Sequence, residues 1–358
     1  MRVHNFSAGP AVLPEEVLKN IQENLVDYKG FGLSVMEMSH RSAEYDEIIV
    51  GAKTRMKKIM GLGDDYEVLF LQGGASTQFL MIPLNFCPDD KTANYIDTGT
   101  WATKALKEAA KIGKKMHIVA SSKDKNYTYI PKNWELAENP AYLHITTNNT
   151  IRGTEWKTDP VVPEGTFLFA DMSSDILSKP MNFEKYDIIY GGAQKNIGPA
   201  GATFVIIRKS IIEKINPNLA SMLDYNTHIS KGSMFNTPPA FSIYVIGEVL
   251  KWVEEKGGLE VREKFNIEKA NYLYNIFDNS DYYRGTVVKE DRSLMNIPFR
   301  LPSEELEKKF IAEAKAKGMI GLKGHRSVGG CRASVYNSLP MKAVQDLAQF
   351  MINFEKKN

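Results

Sequence analysis

Residues 67–80 read EVLFLQGGASTQFL, and the order of residue types in this stretch decides the fold. Apolar residues Val68 to Leu71 run into Gly73-Gly74, then Ala75, Ser76 and Thr77, then an apolar helical pattern. A continuous apolar run this short suits a strand covered on both faces. Glycine lets the backbone turn sharply into the helix that follows. The same unit recurs. Strands are predicted over 67–72, 92–97, 115–120, 141–146, 166–171, 187–190 and 202–207, with helices over 76–86 and 100–112 between the first of them. Strand–helix alternation of this kind predicts an α/β domain: a mostly parallel seven-stranded sheet flanked by helices.

The last hundred residues read differently. Helices are predicted over 261–279, 303–317 and 341–355, around short strands at 294–300 and 332–336. This is an α+β pattern, preceded by a long helix over 239–256 that ends at Gly257-Gly258 and forms the hinge. The expected organisation is an N-terminal segment, 1–15, packing with the small domain; a large domain, 16–259; and a small C-terminal domain, 260–358. A chain of 358 residues suits two domains.

Composition excludes several classes. Forty-five Lys and Arg against 43 Asp and Glu leave a net charge of +2, which argues against a dedicated nucleic-acid binder. Two cysteines, Cys87 and Cys331, build no disulfide framework and match no zinc motif, and no metal site is expected. MRVHNFSAGP lacks an apolar stretch of signal-peptide length, and the uncharged run 68–88 is broken by Gly73-Gly74 and Pro83. A soluble, cytoplasmic protein without membrane partners is expected.

Several residues suit chemistry. The GGAST turn before a helix offers free N–H groups and hydroxyls, either as a phosphate cradle or as an ordinary capped turn. Asp171 ends one apolar strand in TFLFADMSSDILSKP, and Lys195 follows another in YDIIYGGAQKNIGPAG. At the carboxyl edge of a parallel sheet the two would share a ligand site. A desolvated lysine is a Schiff-base nucleophile, and a carboxylate stabilises a protonated pyridine nitrogen, which together suit pyridoxal phosphate. A loop lysine and a helix-capping aspartate read equally naturally. Trp101, after the strand 92–97, can stack on a flat ring or fill core. In GSMFNTPPAFSIYV, Asn236 and Thr237 precede a helix predicted to start at a proline, with Thr237 as N-cap. His325, Arg326 and Arg332 in KGHRSVGGCRASVYN, with His40-Arg41 in MEMSHRSAEY, suit a substrate bearing a carboxylate and a phosphate, or form solvated basic loops.

On NFSAGPAVLP, SVMEMSHRS, DMSSDILSKP, GGAQKNIGPAG, GSMFNTPP and KGHRSVGGCRAS, the chain resembles the phosphoserine aminotransferases, a class V family of fold-type I pyridoxal-phosphate enzymes. The resemblance covers nearly the whole chain. It implies pyridoxal 5'-phosphate as cofactor, with Lys195 as the Schiff-base lysine, Asp171 at the ring nitrogen, Trp101 on the ring and Thr150 on its hydroxyl side. It places Ala75, Ser76 and Gln194 on the cofactor phosphate, with Asn236 and Thr237 reaching it from a second subunit, hence a homodimer with shared sites. Arg332 is implied for the substrate α-carboxylate, and His325, Arg326 and a partner's His40 and Arg41 for its phosphate end. The implied substrates are L-glutamate, 3-phosphohydroxypyruvate and phosphoserine, in serine biosynthesis; some members also process a phosphohydroxythreonine precursor of pyridoxine. The chain departs from some members at Ala8, where they carry Ser, and at Ser76, where they carry Arg. Within class V, an alanine–glyoxylate or serine–pyruvate aminotransferase and a cysteine desulfurase are the alternatives, and a phosphate-binding protein without catalysis is the more distant one.

Overall fold

The computed structural model describes residues 2–358. The large sheet contains β2 (Tyr66–Leu71), β3 (Thr92–Asp97), β4 (Met116–Ser121), β5 (Pro140–Thr146), β6 (Phe167–Asp171), β7 (Ile188–Gly192) and β8 (Thr203–Arg208). β1 (His4–Asn5) lies outside it. The strand order is β2-β8-β7-β6-β5-β3-β4. Only β8 runs against the rest, antiparallel to both β7 and β2. All seven predicted strands are present, in a mostly parallel sheet. Because β8 alone is reversed, the carboxyl ends of β2, β3, β5, β6 and β7 share one edge.

Helices cover both faces. α1 (Glu15–Glu23), α2 (Ala43–Met60) and α6 (Ala240–Glu255) bury one apolar stripe each against one face, around Val68, Ile145, Ala170 and Ile189. α3 (Gly74–Phe86) and α4 (Thr100–Lys111) pack on the other, around Leu69, Phe169, Tyr190 and Val205. The alternation of these residues along their strands follows the two-residue pleat. The short α5 (Tyr225–Ser230) follows β8.

A separate apolar cluster forms at the C-terminus. It gathers residues of α7 (Gly258–Asp278), α8 (Glu304–Ala316) and α9 (Met341–Glu355) with β10 (Asn296–Arg300) and β12 (Cys331–Ser334). β10 pairs antiparallel with β12 and with the short β9 (Arg284–Gly285). β1 pairs in parallel with β11 (Met319–Ile320), and Phe6 is buried in the C-terminal cluster. Ser303 caps α8 by accepting from the Leu306 N–H, as its place before the apolar stripe predicts.

Several helix starts differ from expectation, and α7 begins at Gly258 rather than at 261. α3 begins at Gly74 rather than Ser76, so Ala75 and Ser76 lie in its first turn. Its N-cap is Gly73 at φ +93°, with no side-chain cap, and a Cβ there would lie 2.1 Å from Thr77 Oγ1. α6 begins at Ala240 with Pro239 as N-cap, so Thr237 is not the cap. Two consecutive prolines hold the chain extended before the helix, because a residue preceding proline avoids helical angles. Among the described residues no helix is long and apolar enough to cross a membrane.

Candidate active site

The site is built at the shared carboxyl edge. Asp171 is the last residue of β6, Lys195 lies in the turn after β7, Thr150 in the loop after β5, and Trp101 in the first turn of α4. Four consecutive strands thus deliver one side chain each, as expected for ligand sites in open parallel sheets.

Lys195 Nζ donates to Thr150 Oγ1 at 2.8 Å and lies 5.7 Å from the centroid of the Trp101 ring. Burial lowers its pKa to about 8; Arg332 pushes in the same direction, and Asp171 and Asp175 oppose. At pH 7.5 a lysine of pKa about 8 is about one-quarter neutral, against about one part in a thousand at its ordinary value. The amine is therefore available as a nucleophile or base.

Asp171 is held rather than free. Its Oδ1 accepts from the backbone N–H of Ser173 at 2.9 Å and from Ser173 Oγ at 2.6 Å. Ser173 Oγ in turn accepts from the Gly192 N–H at 3.1 Å, tying the carboxylate to the strand that leads to Lys195. Gly191 permits this approach, since a Cβ there would lie 2.7 Å from Ser173 Cα. Asp171 Oδ2 makes no side-chain hydrogen bond among the described residues.

The C-terminal unit supplies the positive wall. Arg332, on β12 and 9% exposed, donates through Nη1 to the Thr150 carbonyl at 3.2 Å, and its buried Nε has no partner. Burial lowers its pKa. His325 accepts at Nδ1 from the Ser327 N–H at 3.2 Å, so its neutral ring carries the proton on Nε2. Its pKa is lowered, first by burial and then by Arg332, Arg326, Lys104 and Arg152. Arg326 is exposed. The N-terminal segment closes the chamber. Ala11 N–H donates to the Gln194 carbonyl at 2.8 Å, the Tyr336 hydroxyl donates to the Ala8 carbonyl at 2.8 Å, and a Cβ on Gly9 would lie 3.5 Å from Lys195 Cγ.

These residues fit a planar, anionic, aldehyde-bearing cofactor. A partly neutral amine, an aromatic face and an unengaged carboxylate oxygen converge. Trp101 Nε1 is a buried donor without a partner among the described residues. The first turn of α3, with Ala75 and Ser76, presents N–H groups that no side chain caps. Ala75 and Trp101 pack against the same apolar cluster.

Other expected residues stand apart within the chain. Asn236 Nδ2 donates to Gln72 Oε1 at 2.8 Å, and Gln72 Nε2 donates to the Thr237 carbonyl at 3.5 Å, which sets both beside the end of β2. His40 and Arg41 lie in the loop before α2, and neither bonds to the Lys195 group among the described residues. Sequence reasoning missed Ser173, Lys104, Arg152 and the Tyr336 hydroxyl. Ser173 was visible as the polar residue two positions after Asp171; the others have no local signal. Both thiols, Cys87 and Cys331, are buried, and burial raises both pKa values, the opposite of what a nucleophilic thiolate needs.

Residues 3–347 match the family model described as aminotransferase class-V, and the chain belongs to that family of pyridoxal-phosphate-dependent enzymes. Within it, the chain is similar to phosphoserine aminotransferases. It is 55% identical to that of Desulfatibacillum aliphaticivorans over 358 residues, covering 100% of this chain and 99% of the relative. The solved phosphoserine aminotransferase of Bacillus circulans subsp. alkalophilus superposes with a TM-score of 0.97 at 49% identity, covering 99% of each chain. That of Trichomonas vaginalis, solved with pyridoxal phosphate bound, superposes with a TM-score of 0.93 at 38% identity, covering 98% of this chain and 100% of that one. The resemblance read from the motifs holds along the whole chain.

Proposed function

We propose that the chain transfers the amino group of L-glutamate to 3-phosphohydroxypyruvate, giving 2-oxoglutarate and O-phospho-L-serine for L-serine synthesis. One observation carries this reading: Arg332 lies against the Lys195–Thr150 pair, His325 and Arg326 lie on a loop within reach of its charge, and none of the three has a carboxylate partner among the described residues. Arg208 and Arg292, by contrast, pair with acids, with Asp187 at 3.0 Å and Asp278 at 2.8 Å. Unpaired positive charge at a site favours a substrate that brings its own anions.

Pyridoxal phosphate, when bound, supplies the electron sink for the amino transfer. Asp171 holds its ring nitrogen, Trp101 covers its face, and Thr150 binds its ring-hydroxyl side. Ala75, Ser76 and Gln194 hold its phosphate. Lys195 Nζ takes the proton from the substrate Cα and returns one to the opposite partner of the exchange. Arg332 binds the α-carboxylate common to both substrates. His325 and Arg326 receive the distal anion, a carboxylate from glutamate and a phosphate from the oxo acid.

Asn236, Thr237, His40 and Arg41 serve the site of a second copy in a homodimer. They make no hydrogen bond to the chain's own Lys195 group among the described residues and lie on partly exposed segments, which supports that assignment. The separate apolar clusters support a large domain over 16–259 and a small one over 260–358, with residues 1–15 joined to the latter through β1. The enzyme works in the cytoplasm. Purified enzyme loaded with pyridoxal phosphate should form O-phosphoserine from glutamate and 3-phosphohydroxypyruvate, detected by mass. Absence of that product, with glyoxylate or pyruvate accepted instead, would overturn the reading.

A further inference from the structure

Arg152 follows Thr150 by two residues in the loop TTNNTIRGTEW. Its guanidinium lies 5.1 Å from the centroid of the Tyr127 ring. Tyr127 is itself anchored: its hydroxyl donates to Asp97 Oδ2 at 3.0 Å, and the same carboxylate accepts from Thr103 Oγ1 at 2.7 Å and Ser121 Oγ at 3.1 Å. A phenol that donates to a carboxylate has an electron-richer face, which strengthens its hold on a cation. The stem of Arg152 runs over Gly99, where a Cβ would lie 3.6 Å from Arg152 Cγ. The side chain therefore has a stiff platform and little freedom to leave it.

What it lacks is an acid. Arg152 pairs with no carboxylate among the described residues, and its buried Nε has no partner. It lines a cavity of about 420 Å³ together with Tyr127, Thr128, Ser327 and Arg300. Arg300 is already engaged, by Glu307 at 2.7 Å and the Val328 carbonyl at 2.9 Å. Arg152 is the free cation of that cavity, and its charge reaches His325 on the facing loop.

We propose that Arg152 is a specificity-determining residue that binds the third phosphoryl oxygen of a phosphorylated amino or oxo acid. This rests on the amino-transfer reading above. A substrate fastened to Arg332 by its α-carboxylate turns its other end toward the His325 loop. A side-chain carboxylate has two oxygens, which His325 and Arg326 satisfy. A phosphate monoester has a third terminal oxygen and a second charge, and Arg152 joins the second copy's His40 and Arg41 in meeting them. The residue thus separates phosphoserine from glutamate in a chamber that must admit both.

The test uses the enzyme loaded with pyridoxal phosphate. R152Q should raise KM for phosphoserine about tenfold, as expected for one lost charge-assisted hydrogen bond, with kcat and the KM for glutamate within about twofold of wild type. R152K keeps a charge and most of the stem, and should fall between the two. Calorimetric titration with inorganic phosphate supplies a readout without turnover, and R152Q should weaken its affinity by a similar factor. Equal rises in both KM values, no rise in either, or unchanged phosphate affinity would overturn the assignment. If wild type turns over no phosphoserine, the amino-transfer reading fails, and the phosphate titration still decides Arg152. If R152Q does not fold, R152K decides: a KM for phosphoserine equal to wild type, or a rise shared with glutamate, refutes the proposal.

Discussion

Two clusters of cations are treated in opposite ways. Around Glu155, which is fully buried, Lys179 forms a close ion pair and Lys157 lies 3.4 Å away. Burial alone would raise the Glu155 pKa, but the two lysines outweigh it and hold the carboxyl below its ordinary range. The same pairing holds Lys179 above its ordinary value against the cost of burial. Around Lys195, by contrast, burial and then Arg332, which has no acid, push the lysine down to about 8; Arg326 and Arg152, whose charges reach His325, have no acid either. A third lysine shows that burial by itself is no mark of a site. Lys269 is fully buried, donates to the carbonyls of Val335 and Tyr336 and is held well below its ordinary pKa, yet it faces backbone in the C-terminal unit. What separates the Lys195 group is positive charge left unsatisfied beside open space. In the proposed reaction a bound dianion completes it, as Glu155 completes the other cluster.

The comparison breaks first at Lys195. K195M should cut turnover by at least about 10⁴-fold, since the proposed function makes the group both the cofactor's anchor and the acid–base catalyst. Residual activity above one part in about a hundred, measured with saturating glutamate, would remove Lys195 from the chemistry.

The paired cluster breaks differently. E155Q strands the largely buried Lys179 without its acid, while the exposed Lys157 stays in water, and should cost about 3–5 kcal/mol of stability in urea unfolding. KM for phosphoserine should stay unchanged in whatever fraction remains folded. An unaltered urea midpoint would mean that the two lysines do not need their acid.

The smallest effect concerns pH. Lys195 is held at about 8 in the fold and returns to about 10.5 when unfolded, so between these values the unfolded chain binds more protons. Its contribution to the stability of the cofactor-free enzyme therefore rises with pH across that window. K195M lacks this dependence. The stability gap between K195M and wild type should favour the variant by about 1–3 kcal/mol at pH 7.5 and close toward pH 10.5. A gap that stays constant would show that the lysine is not desolvated in the folded chain.

Much of this was legible in the sequence because the signal is local. An apolar strand that runs into small residues and one charged side chain, as before Asp171 and Lys195, carries strand, edge and chemistry in a dozen consecutive positions. The reversal of β8 was not legible, because its run 202–207 is as apolar as its neighbours and periodicity carries no direction. The start of α3 was read two residues late, since hydroxyls at Ser76 and Thr77 mimic a cap, while the structure caps with Gly73. Lys104 and Arg152 look like solvated loop and helix residues until folding sets them beside His325. Asn236, Thr237, His40 and Arg41 were legible only through the family resemblance, since nothing in their local sequence says which copy's lysine they serve.

The uncompensated charge beside Lys195 is tested most directly by comparing amino donors. With pyridoxal phosphate bound and 2-oxoglutarate as acceptor, kcat/KM should be at least about 10³-fold higher for O-phosphoserine than for serine or alanine, the difference expected when several cations lose their anion together. Equal values for the three donors would contradict the account, because the positive wall would then be doing nothing for the substrate.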